Sequence, residues 1–234
     1  MKLFVVFHKK IHHEFYPEEC KPHIILYGVK ERQETTMDIM YEDLLPIYEP
    51  RWQQLKYNEG SALYHLYANN LHRKYNHIGV CQYDMKILPE CIRNIEDTFA
   101  RGIRAVFYVG FFPCKEFIGG QRSIVSDYHG ITAGLASYNT YFNTNFTEQH
   151  LIEYKMTICN TFVVHTHVFD KMMRWMSKYF IQDIEVVMHD HVYHTTFGPG
   201  HMIEALTGMF LCLEVAQGAT YCKLDVIHDH NYRV

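Results

Sequence analysis

The stretch Leu3-Phe4-Val5-Val6-Phe7-His8-Lys9-Lys10 runs five apolar residues directly into three basic ones. An apolar run without alternation suits a strand buried on both faces, as in a parallel sheet covered by helices. In an open α/β sheet, ligands bind beyond the carboxyl ends of such strands, which is where His8 and Lys9 would stand. The runs that follow read the same way. His23 to Tyr27 (His-Ile-Ile-Leu-Tyr) is closed by Gly28, and His77 to Cys81 carries Gln82-Tyr83-Asp84 at its end. Ala105 to Gly110 is a fourth strand. Between them, Glu59 to Lys74 places Leu63, Leu66, Tyr67 and Leu71 at helical spacing, and Leu88 to Arg101 is a second helix with Gly102 to stop it. Strands alternating with helices predict an α/β fold.

The second half is richer in helix. Ser126 to Ser137 is a helix candidate, and Ile158 to His165 reads as a strand around Phe162-Val163-Val164. Thr166 to Phe180 sets Phe169, Met172, Met173, Met176 and Phe180 on one face, with Thr166 as the expected N-cap. That Met-rich face reads as core. Ile203, Leu206, Phe210 and Leu213 mark another helix ended by Gly218, and Tyr221 to Ile227 is the expected last strand. No internal repeat appears and no linker is long enough to divide the chain, so residues 1–234 are expected to form one domain.

Composition excludes several classes. The chain has 234 residues, 48% of them hydrophobic and 21% charged, the balance of a globular protein and not of a disordered one. A net charge of −4 without a basic stripe argues against a nucleic-acid binder. The seven cysteines form no C-x-x-C pair, and several sit in apolar runs, which fits buried thiols in a reducing compartment. The apolar run at the N-terminus is too short for a signal peptide, and no run approaches a membrane span. A soluble, cytoplasmic protein without a membrane span is expected, and the Asn145-Phe146-Thr147 sequon is read as accidental.

Several residues carry candidate chemistry. His8 and Lys9 are either a solvated basic turn or contacts to the base and phosphates of a nucleotide. Asp84, just past a strand, is either a turn former or a hard oxygen ligand holding Mg²⁺ or Mn²⁺ against a diphosphate. His189-Asp190-His191 and His228-Asp229-His230 each offer imidazole and carboxylate for a metal or for general-base work, although 17 histidines make chance adjacency a real alternative. Gly198-Pro199-Gly200-His201 opens the helix that carries Glu204. Glu204 is read in the first turn, where it either complements the helix dipole or acts in catalysis. No H-E-x-x-H, G-x-S-x-G or Walker loop is present.

Taken in order, these segments resemble a family of bacterial capsular- and exopolysaccharide glycosyltransferases that has relatives in large DNA viruses. The opening strand ending in His8-Lys9 resembles the family's first strand, and Tyr27-Gly28-Val29 resembles the ending of its second. Glu59-Gly60-Ser61-Ala62-Leu63-Tyr64, then Ile78-Gly79-Val80-Cys81-Gln82-Tyr83, is similar to its helix and "IGLCHYRR" strand. Asn160-Thr161-Phe162-Val163-Val164 with Phe169-Asp170 and Trp175, and Gly200 to Leu206, resemble its "NMFIM…FD…W" and "GxxxERL" stretches. This chain departs from the pattern at Gln82-Tyr83-Asp84-Met85, where the bacterial members read His-Tyr-Arg-Arg, and at Ala205, which replaces an Arg.

The resemblance implies a GT-A-like fold with a Rossmann-type nucleotide-sugar half over residues 1–115 and a helix-richer acceptor half over 116–234. It implies a hexosyl- or pentosyltransferase that uses a nucleoside-diphosphate sugar and a glycan or glycoprotein acceptor, in host cytoplasm if the chain is viral. Phe7, His8, Lys9, Tyr27 and Gly28 would line the donor site with Gln82 and Tyr83. Asp84 resembles the metal-binding acid of GT-A enzymes, and His228 or His230 would complete its Mn²⁺ or Mg²⁺ site. If the enzyme inverts, Glu204 or Asp190 is the base. Two other classes fit the residues: a non-catalytic glycan- or nucleotide-sugar-binding protein of the same fold, and a His-rich zinc hydrolase.

Overall fold

A computed structural model of the chain describes residues 1–9, 11, 16–53, 57, 59–109, 130–154, 156–157, 159–181 and 199–228. The apolar runs form strands where the sequence places them: β1 (Lys2–Phe7), β2 (Ile24–Gly28), β4 (His77–Gln82) and β6 (Ala105–Tyr108). With β3 (Ile39–Tyr41), β7 (Phe162–His165) and β8 (Thr220–Lys223) they make one seven-stranded sheet in the order β3-β2-β1-β4-β7-β6-β8. Strands β3, β2, β1 and β4 are parallel neighbours, β7 runs antiparallel between β4 and β6, and β8 is parallel to β6.

Every residue from Leu3 to Phe7 is buried, because helices cover both faces of the sheet. Phe4, Val6, Tyr27 and Val80 face one core, packed under α1 (Gly60–Ala68), α3 (Ile131–Phe142), α4 (Glu148–Glu153), α5 (Thr166–Met176) and α6 (Pro199–Ala216). Leu3, Val5, Phe7 and Cys81 face the other, under α2 (Pro89–Ala100). Each such buried side chain contributes about 1.5–3 kcal/mol, so the alternation along β1 fixes its register against both layers. Met172, Met173 and Met176 are buried core residues, as their spacing predicts. Among the described residues, no helix is long and apolar enough to cross a membrane, and six cysteines are free.

Several elements differ from expectation, and α3 runs on to Phe142, past the expected end at Ser137. The helix over 59–74 is split: α1 ends at Ala68, Asn70 turns left-handed at φ 54°, and Leu71–Lys74 is a separate 3₁₀ turn. Asn is one of the few non-glycine residues that visit that region readily. The N-cap of α5 is His165, whose Nδ1 accepts from the His167 backbone N–H, and Thr166 is already helical. Glu204 lies beyond the first turn of α6, which begins at Pro199, so it is no dipole complement. The last strand is two: β8 ends at Lys223, and β9 (Val226–His228) pairs antiparallel with β5 (Met85–Ile87).

Candidate active site

The carboxyl ends of β1, β2 and β4 lie together, since Val6 is in register with both Tyr27 and Gln82. Because β7 is antiparallel, its amino-terminal side, Asn160-Thr161, reaches the same edge, and the Thr161 hydroxyl accepts from the Gln82 backbone N–H at 3.2 Å. The α1 face of the sheet carries Val80, so Gln82, two residues on, points toward the side where α1 and α6 pack.

Gln82 is the hinge of the site. Its Nε2 donates to Glu204 Oε1 at 2.8 Å and to Glu59 Oε2 at 3.3 Å, while its Oε1 accepts from the Cys159 thiol at 3.4 Å. Glu59 precedes the first residue of α1 and is 3% exposed, and Glu204 on α6 is 8% exposed. Burial, then the nearby Glu59 charge, pushes the Glu204 carboxyl up to about 9. Hydrogen bonds from the Asn160 backbone and Gln82 work against that rise, and Asp84 adds to it. Burial likewise raises Glu59, and it pushes the Cys159 thiol up to about 12, so that thiol stays protonated and can donate.

The described residues bury four glutamates, and the contrast among them is informative. Glu214 is held by Arg104 at 2.7 Å and by Lys171. Glu42 meets His65 Nδ1 at 2.9 Å and accepts from the Ser61 hydroxyl at 2.8 Å. The Glu49 backbone N–H donates to His65 Nε2, so the ring proton of His65 sits on Nδ1, where the Ser61 carbonyl oxygen accepts it at 3.0 Å. Glu214 thus has two cationic partners, and Glu42 has an imidazole and a hydroxyl beside it. Glu59 and Glu204 form no ion pair among the described residues and share one neutral amide. Buried acids arranged so are costly to the fold, which is the usual mark of a functional group.

Beside this pair, the β5–β9 ladder sets Met85 opposite His228 and so brings the C-terminal segment to Asp84. His228 Nε2 lies 2.9 Å from Asp84 Oδ2, and Asp84 Oδ1 is buried with no hydrogen-bond partner among the described residues. An unpartnered carboxylate oxygen next to an imidazole fits a divalent cation that takes one or two protein ligands and fills the rest of its shell with phosphate oxygens and water. Among the described residues, no group of three or more His, Cys, Asp or Glu is placed to hold a metal ion alone. His8 stands at the end of β1 with its ring edge-on to Tyr83, centroids 4.9 Å apart. Burial, then Lys9, lowers its proton affinity, while Asp84 opposes them.

The structure thus brings together His8, Gln82, Tyr83, Asp84, Glu204 and His228 from the sequence candidates. Lys9 is exposed beside His8. Phe7 and Tyr27 are fully buried, so they can reach a ligand only through their backbone. Gly28 is required by packing: a Cβ there would meet the Tyr41 ring at 2.6 Å and Phe7 at 2.9 Å. Asp190 and His230, with the rest of the His189-Asp190-His191 cluster, lie outside the described residues. Glu59 is the residue that sequence reasoning missed as a site group. Its only signal was an acid placed directly against Gly60-Ser61 at the start of an apolar helix.

No protein-family model matches the chain, and no curated protein sequence matches it. Among solved structures the chain is similar to the apo structure of WbbM, a bifunctional glycosyltransferase, with a TM-score of 0.62 and 13% identity over 98% of its length. It spans 45% of that chain, less than half of the larger protein. A likeness at this identity carries the fold, and the GT-A-like α/β architecture expected from the sequence is borne out.

Proposed function

We propose that the chain transfers a sugar from a nucleoside-diphosphate sugar to a glycan acceptor, with inversion at the anomeric carbon. The observation that carries this reading is the buried Glu59–Gln82–Glu204 set, with no ion pair among the described residues, at the carboxyl edge of a GT-A-like sheet. Glu204 is the base. It takes the proton of the acceptor hydroxyl as the acceptor oxygen bonds to the anomeric carbon. The bond from that carbon to the diphosphate oxygen breaks, and its electron pair leaves on the diphosphate. A carboxylate with so high a proton affinity is a strong base at neutral pH once it has lost its proton. Asp84 and His228 are the residues fit to hold Mn²⁺ or Mg²⁺, which when bound neutralises charge on the leaving diphosphate. His8, whose proton affinity burial lowers, offers an imidazole to the donor at the end of β1.

A panel of nucleotide-sugars, assayed for binding by calorimetry and for Mn²⁺-stimulated hydrolysis, tests the reading. The cognate donor should bind and hydrolyse slowly. Glu204→Gln should lower kcat by about 10²–10⁴ and leave donor affinity intact, since the base acts on the acceptor. A variant that transfers sugar at the normal rate overturns the role of Glu204. Donor binding with no hydrolysis or transfer by the unaltered chain would mark it as a binding protein of the same fold.

A further inference from the structure

The role given to Glu204 leaves a difficulty that its surroundings resolve. A carboxyl that keeps its proton at neutral pH cannot start the reaction as a base, so an ionised oxygen has to be available beside it. We infer that Glu59 and Glu204 act as one proton-holding unit clamped by Gln82: at rest the pair carries one proton and one negative charge, and its ionised oxygen receives the proton of the acceptor hydroxyl. This inference rests on the acceptor-side reading of Glu204 and adds Glu59 to it as the partner that shares the proton.

The geometry supports it on three counts. First, the carboxamide of Gln82 has two N–H bonds, and Nε2 directs them at the two acids, 2.8 Å from Glu204 and 3.3 Å from Glu59. Second, the amide cannot be turned over without loss. The Cys159 thiol donates to Oε1, and a flipped amide would set that oxygen against two acid groups. Third, charge repulsion disfavours the doubly ionised pair, and the proposed role as base excludes the doubly protonated one. Two ionised carboxylates on one neutral amide, both buried and with Asp84 adding a further negative charge, repel each other. Two protonated acids would leave the site without a base. Glu214, held by Arg104 and Lys171, shows a buried acid of this chain compensated by cations elsewhere. In the reaction the acceptor O–H bond breaks, the resting pair goes from one proton to two, and one proton is released to water after the product leaves.

The groups that act on the pair besides Gln82 are Asp84 at the end of β4 and Asn160 before β7. The Cys159 thiol stays protonated, His228 Nε2 lies 2.9 Å from Asp84, and the Asp84 charge also acts on His8. The experiment is an infrared titration of the full chain with isotopically labelled glutamate carboxyls, without donor, acceptor or metal. The unaltered protein should show one buried carboxylic-acid band at neutral pH that titrates near pH 9 and is absent in Glu204→Gln. Glu59→Gln keeps the shape and removes the neighbouring charge, so the band's midpoint should fall by about one pH unit or more. An unchanged midpoint in folded Glu59→Gln overturns the pair. Gln82→Met removes the clamp and should move the midpoint upward, because the ionised acid loses its donor. An unmoved midpoint there overturns the clamp even if Glu59→Gln does not fold. The band is read without turnover, so a protein that shows both shifts and transfers no sugar refutes the proposed activity and leaves the pair standing.

Discussion

Folding stability against pH gives the sharpest test of the buried acid at position 204. Folding raises the proton affinity of Glu204 from the ordinary value of 4.5 to about 9. An acid raised in this way binds its proton more tightly folded than unfolded. The stability it contributes is complete below the unfolded pKa and is lost as pH climbs toward the folded one. Within that window the limiting loss is about 1.4 kcal/mol per pH unit. Sharing a proton with Glu59 spreads the titration, so the expected loss is about 2–3 kcal/mol between roughly pH 5 and pH 8. For a chain of this length each kcal/mol moves Tm by about 2–4 °C, which gives a relative fall of about 4–12 °C. The raw melting curve will not show this directly. Burial lowers the proton affinity of His8, His77, His167 and His201, and such groups make stability rise as pH climbs toward 6.5. Subtracting the curve of Glu204→Gln cancels the histidines and leaves the acid. Gln at 204 keeps an acceptor for Gln82 and turns an N–H toward Glu59, so the variant should become progressively more stable than the parent above about pH 6. Differential scanning calorimetry at closely spaced pH values measures the difference. A constant offset between the two proteins from pH 5 to pH 8 would refute the raised proton affinity and the electrostatics built on it.

Two further outcomes follow from the geometry. Asp84→Asn removes a charged oxygen ligand while keeping its shape, so Mn²⁺-dependent affinity for a nucleoside diphosphate should drop about 10-fold or more, equivalent to about 1.4 kcal/mol; calorimetry with and without Mn²⁺ measures it, and an unchanged dependence removes Asp84 from the metal site. Gly208→Ala would set a Cβ 1.7 Å from the Thr157 carbonyl oxygen, a backbone atom that cannot swing away, so unfolding in urea should show a loss of about 3 kcal/mol or more, and a midpoint close to the parent's would mean that α6 is not seated against residue 157 as described.

Much of the fold was legible because burial on both faces leaves a direct trace. The runs at Leu3 to Phe7 and His77 to Cys81 admit little but covered strands, and Gly102 and Gly218 sit where a positive φ is needed, at 72° and 92°. What escaped was topology. Nothing in Phe162-Val163-Val164 tells a parallel strand from an antiparallel one, since strand direction is set by the length and packing of distant connections. That direction places Asn160 and Thr161 at the site. The break after Lys223 was hidden in the same way, because both β8 and β9 read as strand and only their different partners separate them.

The site divides along similar lines. His8, Gln82 and Asp84 could be located from sequence because a residue at the end of a buried strand has its position fixed by the strand. Glu59 could not, because a Glu at a helix start is an ordinary solvated residue in most proteins and is marked out here only by what surrounds it. The same holds for the acids as a class. Glu42, Glu59, Glu204 and Glu214 are indistinguishable as letters, yet two meet basic, imidazole or hydroxyl partners contributed by distant segments and two meet each other through one amide. The chemistry of a buried carboxyl is decided by its compensating charge, and compensation is a property of tertiary contacts. Burying Glu59 and Glu204 with no ion pair among the described residues costs stability, and that cost is what the proposed use of their proton accounts for.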